Sequence, residues 1–278
     1  MSSAAARAAE TLAANRAVGC VALEVAAASA GVTRRARVRE EGSLRVRCPG
    51  PPAAELEAVI VNTAGGVAGG DRFALDVNVS SGAQLVVTTA AAEKIYRTLE
   101  PAATIEVRLA VGAGGSLAWL PQETILFDRS RLTRSIEIDL AADARLLLAE
   151  AIVFGRSGMG ERVAESTLFD RWRVRRDGSL VHAEALWLDG NIADKLRAPA
   201  IANGGIALAT VLVSPGDDTV AAVVRALGER YRGEVGVSAW NGLALVRLCA
   251  GDGAVLRHDL VEVLTALRGA TLPRLWSN

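Results

Sequence analysis

The stretch Leu146-Leu147-Leu148-Ala149-Glu150-Ala151-Ile152-Val153-Phe154 places one carboxylate among eight apolar residues. Apolar residues occupy both alternating sets of positions, which predicts a central strand covered on both faces. The side chain of Glu150 would then lie in the interior. Because carboxylates are seldom buried without a partner, Glu150 is a candidate functional residue.

A related sequence pattern recurs along the chain roughly every thirty residues. Each copy has a turn of small residues, then a leucine, then a run of residues typical of a strand. The four copies begin near Gly82, Gly115, Ala144 and Gly178, with leucines at Leu85, Leu117, Leu146 and Leu180. Short strands at such a period suit sheets in which each repeat covers its neighbour. The predicted fold is mainly β, with stacked sheets of an irregular β-helix or solenoid type; a layered β-sandwich is the alternative.

The final third of the chain shows helical periodicity. Apolar residues within 219–231 form one stripe behind the capping candidates Asp217 and Asp218, and a second stripe runs from Leu260 to Leu267. Residues 206–213 and 243–248 are typical of strands. We therefore expect a mobile tail over 1–30 and a single β-rich domain over 31–278, with a β-helical body over about 31–195 and an α/β portion with two α-helices over about 196–278.

Composition excludes several classes of partner. The 31 basic residues balance 31 acidic ones, so no overall positive charge attracts nucleic acid. No apolar run approaches the ~20 residues of a membrane span, and the amino terminus lacks the apolar block of a secretion signal. Three cysteines at unrelated spacings fit no disulfide framework. A cytoplasmic protein without membrane or nucleic-acid partners is expected.

Two motifs have both a functional and a structural interpretation. The glycine-rich stretch 65–70 ends at Asp71, where a phosphate-binding loop would carry lysine, so a tight turn presenting a carboxylate is favoured over nucleotide binding. His182 and Glu184 stand two apart on a predicted strand and share one face. They form either a metal-binding pair or a structural pair in which the histidine is satisfied by hydrogen bonds.

Acidic residues within apolar surroundings recur at Glu123, Glu150 and Glu184. Two ionised carboxylates one strand spacing apart, ~4.8 Å, would repel by about 3 to 4 kcal/mol at an effective dielectric constant near 20. Three remedies exist: arginine partners, raised pKa values, or a water-filled passage that a cation enters. The sequence leaves arginine pairing and the passage equally open, with candidate partners at Arg131, Arg134, Arg156, Arg162 and Arg171.

Four longer blocks, residues 62–72, 88–97, 119–127 and 154–161, resemble the signature blocks of the urease accessory protein UreD (UreH) family, in the family's order. Residues 272–276, Leu-Pro-Arg-Leu-Trp, resemble its carboxyl end. The likeness covers nearly everything after about residue 32.

This resemblance implies a protein without catalytic activity that takes part in inserting nickel into apo-urease. It implies a complex with UreF and the GTPase UreG that docks on apo-urease, and a β-rich stacked fold. It also implies an internal path for transient Ni²⁺, with no tightly bound cofactor, at positions that match Asp71, Glu150 and Glu184, with Glu123 as a weaker fourth. Two alternatives are a pure adaptor whose acids pair with arginines, and a hydrolase using Asp71 and Glu123 as acid and base.

Overall fold

Two large sheets face one another in a computed structural model of the chain, which describes residues 16–51, 53–98 and 101–277. Seven strands form the first sheet, in the order β14-β13-β11-β8-β5-β1-β2. The second sheet has ten strands, in the order β16-β17-β15-β12-β9-β6-β4-β3, with β10 and β7 attached beside β12. The strands are β1 (Val18–Ala27), β2 (Thr33–Gly42), β3 (Leu44–Arg47), β4 (Glu55–Asn62), β5 (Arg72–Val79), β6 (Gln84–Thr89), β7 (Glu93–Ile95), β8 (Ala103–Val111), β9 (Ser116–Trp119), β10 (Thr124–Leu126), β11 (Arg131–Leu140), β12 (Arg145–Phe154), β13 (Ser166–Arg176), β14 (Ser179–Gly190), β15 (Ala207–Ser214), β16 (Glu234–Trp240) and β17 (Leu243–Ala250). The helices of the described residues are α1 (Ile192–Leu196), α2 (Asp218–Ala226) and α3 (Gly253–Arg268).

The chain coils between the two sheets. In the first sheet β1, β5, β8, β11 and β13 pair in parallel in that order. In the second sheet β4, β6, β9 and β12 do the same. Each strand therefore lies beside the equivalent strand of the preceding turn, as in a solenoid. The predicted fold class, mainly β with stacked sheets and helices near the carboxyl end, is confirmed.

Three of the four repeat leucines occupy one column of the second sheet. Leu85 is the register partner of Leu117, and Leu117 is the partner of Leu146. All three side chains are buried. The fourth, Leu180, is 53% exposed and lies on β14, which runs antiparallel to β13. The prediction of a fourth stacked copy is wrong because Asp177 and Gly178, both at positive φ, reverse the chain in a hairpin.

Strand β12 is the central strand that its sequence predicted, and all but its first residue are buried. One set of alternating side chains, including Leu146 and Leu148, packs into the core between the sheets. The other set, including Leu147 and Ala149, packs into a second apolar cluster with helix α3. Coverage by a sheet on one side and a helix on the other explains why the sequence is apolar at every position except Glu150.

The amino-terminal boundary differs from the expected one. Residues 18–27, placed in a mobile tail by the sequence analysis, form β1, which pairs with both β2 and β5. Val21, Leu23 and Val25 are buried in the core. These three residues alternate with Ala22 and Glu24, but the many alanines of this segment hid this alternation of buried and partly exposed residues. The expectation for residues 1–15 lies outside the described residues.

The carboxyl-terminal portion continues the second sheet. β15 pairs antiparallel with β12 over eight register positions, and β17 and β16 extend the sheet beyond it. The strands expected near 206–213 and 243–248 are β15 and β17, whereas β16 was not predicted. Helix α2 is capped by Asp217, as expected, but ends at Ala226, before a short 3₁₀ turn.

Two further features bear on cellular context. None of the helices in the described part of the chain is long and apolar enough to cross a membrane. Cys20, Cys48 and Cys249 are all free thiols.

The leucine column provides a stability test with a matched control. Leu117→Ala removes a side chain that is 1% exposed from the centre of the column, so the free energy of unfolding should fall by about 2 to 5 kcal/mol. Leu180→Ala, at the exposed position of the same sequence motif, should change it by less than about 0.5 kcal/mol. Denaturant titration measures both values, and equal losses would contradict the assignment of the column.

Candidate functional site

A cavity of about 550 Å³ lies between β11, β13 and β14 of the first sheet and β12, β15, β16 and β17 of the second. Its wall combines aliphatic side chains with four carboxylates and two guanidinium groups. The charged residues on it are Glu150, Asp170, Glu184, Glu234, Arg134 and Arg247. Of the four residues expected along a metal path, the cavity brings together Glu150 and Glu184.

A buried ionic triad forms the inner wall of the cavity. Arg134, on the inward face of β11, donates from Nε to Oδ1 of Asp170 at 3.0 Å and from Nη2 to Oδ2 at 2.6 Å. Its Nη1 donates to Oε2 of Glu150, whose Oε1 accepts a 2.8 Å hydrogen bond from Nε1 of Trp119. The three charged residues are each no more than 7% exposed. Because Arg134 and Asp170 belong to one sheet and Glu150 to the other, the triad links the two sheets.

The triad shifts the protonation equilibria of its members. Burial raises the pKa of Glu150, and the Arg134 charge and the Trp119 hydrogen bond oppose that shift. Burial by itself would lower the pKa of Arg134, but the carboxylates of Asp170 and Glu150 outweigh it and raise this pKa. Arg134 therefore stays charged, and two carboxylates share one positive charge.

A second ion pair stands at the outer wall. Arg247, on β17, donates from Nη1 and Nη2 to the two oxygens of Glu184, on β14, at 2.5 and 2.8 Å. Nη1 also donates to Oγ1 of Thr210 at 3.0 Å. Burial tends to raise the pKa of Glu184, but the neighbouring His182 ring and Arg247 outweigh it, so the pKa is lowered. The Arg247 side chain is 51% exposed, so this pair, unlike the triad, is in contact with solvent.

Asp71 occupies the glycine turn that the sequence predicted, and Gly65, Gly66 and Gly70 have positive φ. A Cβ at Gly69 would lie 2.0 Å from Oγ1 of Thr98, so the turn needs glycine there. The carboxylate points to backbone: Oδ1 accepts from the amide of Ala17 at 2.8 Å and Oδ2 from the amide of Ala68 at 2.7 Å. Asp71 is buried in this role and does not line the cavity.

Glu123 also lies away from the cavity. Its Oε2 is 3.4 Å from Nη1 of Arg257, on α3, and Arg257 donates in addition to Oε1 of Gln122 at 2.7 Å. The guanidinium of Arg257 stacks 5.1 Å above the ring of Trp276. Glu123 thus joins the solenoid to α3 and the carboxyl-terminal segment. Neither member of the hydrolase pair considered from the sequence, Asp71 and Glu123, reaches the cavity.

Of the two remedies that the sequence left open, arginine pairing is observed, and two of the acids also line a cavity. Each expected acid has its own partner: arginine for Glu123, Glu150 and Glu184, and backbone amides for Asp71. Arg134 was among the candidate partners, whereas Arg247 and Arg257 were not. Glu150 and Glu184 nevertheless share one cavity. No group of three or more His, Cys, Asp or Glu side chains within residues 16–51, 53–98 and 101–277 is arranged to hold a metal ion.

Two further acidic residues, Asp170 and Glu93, occupy positions that their sequence context did not reveal. Asp170 alternates with the buried Leu168 and Trp172 on β13, and this period of two was the signal that could have placed it inside. Glu93 is the first, half-buried residue of the three-residue strand β7, and so short a strand gives no periodic signal of burial. Its two oxygens accept from Nδ2 of Asn62 at 3.1 and 3.2 Å, and burial raises its pKa to about 7.

Removal of the central cation tests the triad. Arg134→Met leaves Glu150 and Asp170 buried without their counter-charge, so we expect the free energy of unfolding to fall by about 3 to 5 kcal/mol. Arg175→Gln, which breaks a partly exposed pair with Glu137, should cost at most about 1 kcal/mol. Urea denaturation compares the two variants, and similar small losses would show that the triad does not hold the sheets together.

Glu93 predicts a pH dependence of stability. Its pKa in the folded chain, about 7, exceeds its ordinary value of 4.5, so its contribution is complete at low pH and is lost as pH rises through 7. Between pH 5.5 and 8 the wild type should lose about 2 kcal/mol relative to Glu93→Gln. Thermal or urea unfolding of both proteins across this range measures the difference, and parallel pH profiles would contradict it.

Comparison with known proteins gives one family. The chain matches the family described as UreD urease accessory protein over residues 17–277. It is 55% identical over 267 residues to the urease accessory protein UreD of Rhodopseudomonas palustris strain ATCC BAA-98 / CGA009, covering 96% of this chain and 95% of that protein. It is 53% identical over 265 residues to the urease accessory protein UreD of Bradyrhizobium diazoefficiens, covering 95% of each. The chain therefore belongs to the UreD family of urease accessory proteins.

Proposed function

We propose that this chain serves urease maturation as a scaffold and as a passage for Ni²⁺ bound for apo-urease. In this proposal it acts in the cytoplasm, in a complex with UreF and the GTPase UreG, without catalytic activity or a tightly bound cofactor of its own. Nickel is cargo that passes through the cavity between the sheets. The observation that carries the proposal is the presence of Glu150 and Glu184 on this one cavity.

The charges on the cavity wall support a cation as cargo. Four carboxylates face two guanidinium groups, which leaves an excess of two negative charges when all are ionised. Carboxylate oxygens attract divalent cations, and a path of separate oxygens without a closed ligand set holds such ions weakly. Weak binding suits transfer because a cation that is released slowly would not reach the next protein.

The two ion pairs suggest different tasks. Arg134 is sealed between Glu150 and Asp170, so the triad contributes a net negative charge at the inner wall when both carboxylates are ionised. Arg247 is half exposed and can leave Glu184 when a cation arrives. Surface-type pairs of this kind contribute only about 0 to 1 kcal/mol, so exchange with a divalent ion costs little. Asp71 and Glu123, which have other partners away from this cavity, are left without a part in the passage proposed here.

A pure adaptor remains the second candidate, favoured by the pairing of each acid with its own counter-group. In that case Glu150 would only link the sheets, Glu184 would only hold β14 to β17, and the chain would bridge urease and the GTPase complex without a metal passage. The two candidates predict different effects on nickel delivery when the cavity carboxylates are replaced by uncharged side chains of the same size.

The double substitution Glu150→Gln with Glu184→Gln separates them. Glutamine keeps the side-chain volume and one of the two oxygen acceptors of Glu150, and Asp170 still neutralises Arg134, so the fold and partner binding should persist with a lower free energy of unfolding. The passage predicts a several-fold loss of nickel delivery, measured as urease activity after activation with purified partners, GTP and limiting Ni²⁺. Retention of UreF on a pull-down column shows that assembly is intact.

Glu123→Gln is the matched control, because it removes a carboxylate outside the cavity and should leave activation unchanged. Full urease activation by the double variant would refute the passage and leave the adaptor. An equal loss in Glu123→Gln would show that the effect is not specific to the cavity.

A further inference from the structure

One face of β14 carries a histidine beside the outer carboxylate of the cavity. His182, Glu184, Leu186 and Leu188 alternate along this inward face, and the last three line the cavity. His182 is the next inward residue along the strand from Glu184. It is 8% exposed, and its ring centroid lies 6.0 Å from that of Trp240.

The imidazole of His182 has an unmet polar atom. Nε2 is buried and has no hydrogen-bond partner in the described part of the chain. It lies 3.4 Å from Oε2 of Glu184, within ion-pair range but without hydrogen-bond geometry. A buried polar nitrogen without a hydrogen-bond partner is unfavourable, so Nε2 is available to a further ligand beside the Glu184 carboxylate.

The separation of the two atoms fits a bound metal ion. Metal–nitrogen and metal–oxygen bonds in proteins measure about 2.0 to 2.2 Å, so adjacent ligands on a tetrahedral or octahedral ion stand roughly 3.0 to 3.4 Å apart. Nε2 of His182 and Oε2 of Glu184 already stand 3.4 Å apart. An ion could bridge them with little movement of either side chain.

The surrounding groups define what kind of ion and how firmly it is held. Imidazole together with carboxylate suits borderline divalent ions such as Ni²⁺ better than Mg²⁺ or Ca²⁺. With no third His, Cys, Asp or Glu ligand arranged nearby among the described residues, water or a donor from another protein completes the coordination. Arg247 holds both oxygens of Glu184 and must release at least one of them when the ion binds.

We infer that His182 Nε2 and the Glu184 carboxylate form a two-ligand transfer site for a borderline divalent cation, with Arg247 as the counter-ion that the metal displaces. This inference deepens the proposed nickel passage and rests on it. It adds an imidazole ligand, from the neighbouring inward residue of β14, to a path otherwise built of oxygens.

The composition of the chain makes the test specific, because His182 and His258 are its two histidines. Full-length protein prepared without a polyhistidine tag is loaded with one equivalent of Ni²⁺ and studied by X-ray absorption at the nickel edge. Wild type and His258→Asn should show the outer-shell scattering of a coordinated imidazole. His182→Asn should lack it and bind Ni²⁺ at least about 10-fold more weakly in a competition titration.

Imidazole scattering that persists in His182→Asn, disappears in His258→Asn or is absent from wild type would overturn the inference. If His182→Asn does not fold, imidazole NMR of the wild-type protein replaces it. Ni²⁺ should then broaden the ring signals of His182 first, and broadening of His258 alone, of both rings equally or of neither would overturn the assignment.

Failure of this inference is distinguishable from failure of the proposed function. A wild type without imidazole coordination, together with impaired urease activation by the Glu150→Gln and Glu184→Gln double variant, removes His182 from the site and keeps the passage. Imidazole coordination together with normal activation by that double variant keeps the site and removes the passage.

Discussion

The architecture depends on one guanidinium group, that of Arg134, which bonds Asp170 within its own sheet and Glu150 across the core. Sheets that face one another are normally held by apolar contact alone, at a spacing near 10 Å. Here a buried cation spans that gap with two carboxylates. Burying such charges is costly, and a well-packed apolar set of similar volume would often be at least as stable. The presence of the triad therefore suggests a role beyond stability, which we propose is the negative field of the cavity beside it.

The cavity lies at the end of the solenoid, where the parallel stacking of strands stops. Apart from the triad, the space between the two sheets over the turns from β1 to β13 is filled mainly by leucine, isoleucine and valine side chains, as in the column of Leu85, Leu117 and Leu146. The hairpin at Asp177 and Gly178 then sends β14 back along β13, while β15, β17 and β16 extend the other sheet. The two extensions are bridged at the cavity by Glu184 and Arg247. A polar, partly exposed contact thus lies where the apolar repeat stops.

The sequence predicted the features that depend on local period. The run around Glu150 identified a strand covered on both faces, and the repeat of leucines identified stacked turns. The sequence did not predict the features that depend on contacts between segments far apart in the chain. Leu180 repeats the motif but lies on a reversed strand, and the alanine and glycine residues of β1 resemble the alanine-rich segment that precedes it. The partners Arg247 and Arg257 could not be found because β17 and α3 return from far along the chain to meet Glu184 and Glu123. The burial of Arg134 and Asp170 was accessible in principle, since both occupy inward positions of strands with period two.

Anomalous diffraction at the nickel absorption edge from crystals of this chain equilibrated with Ni²⁺ would test the central claim most directly. The account predicts a nickel peak at the cavity, about 2.0 to 2.2 Å from an oxygen of Glu184, with the Arg247 guanidinium displaced. A cavity without anomalous density, with Arg247 still bonded to both oxygens of Glu184 and nickel found only on outer surfaces, would contradict it.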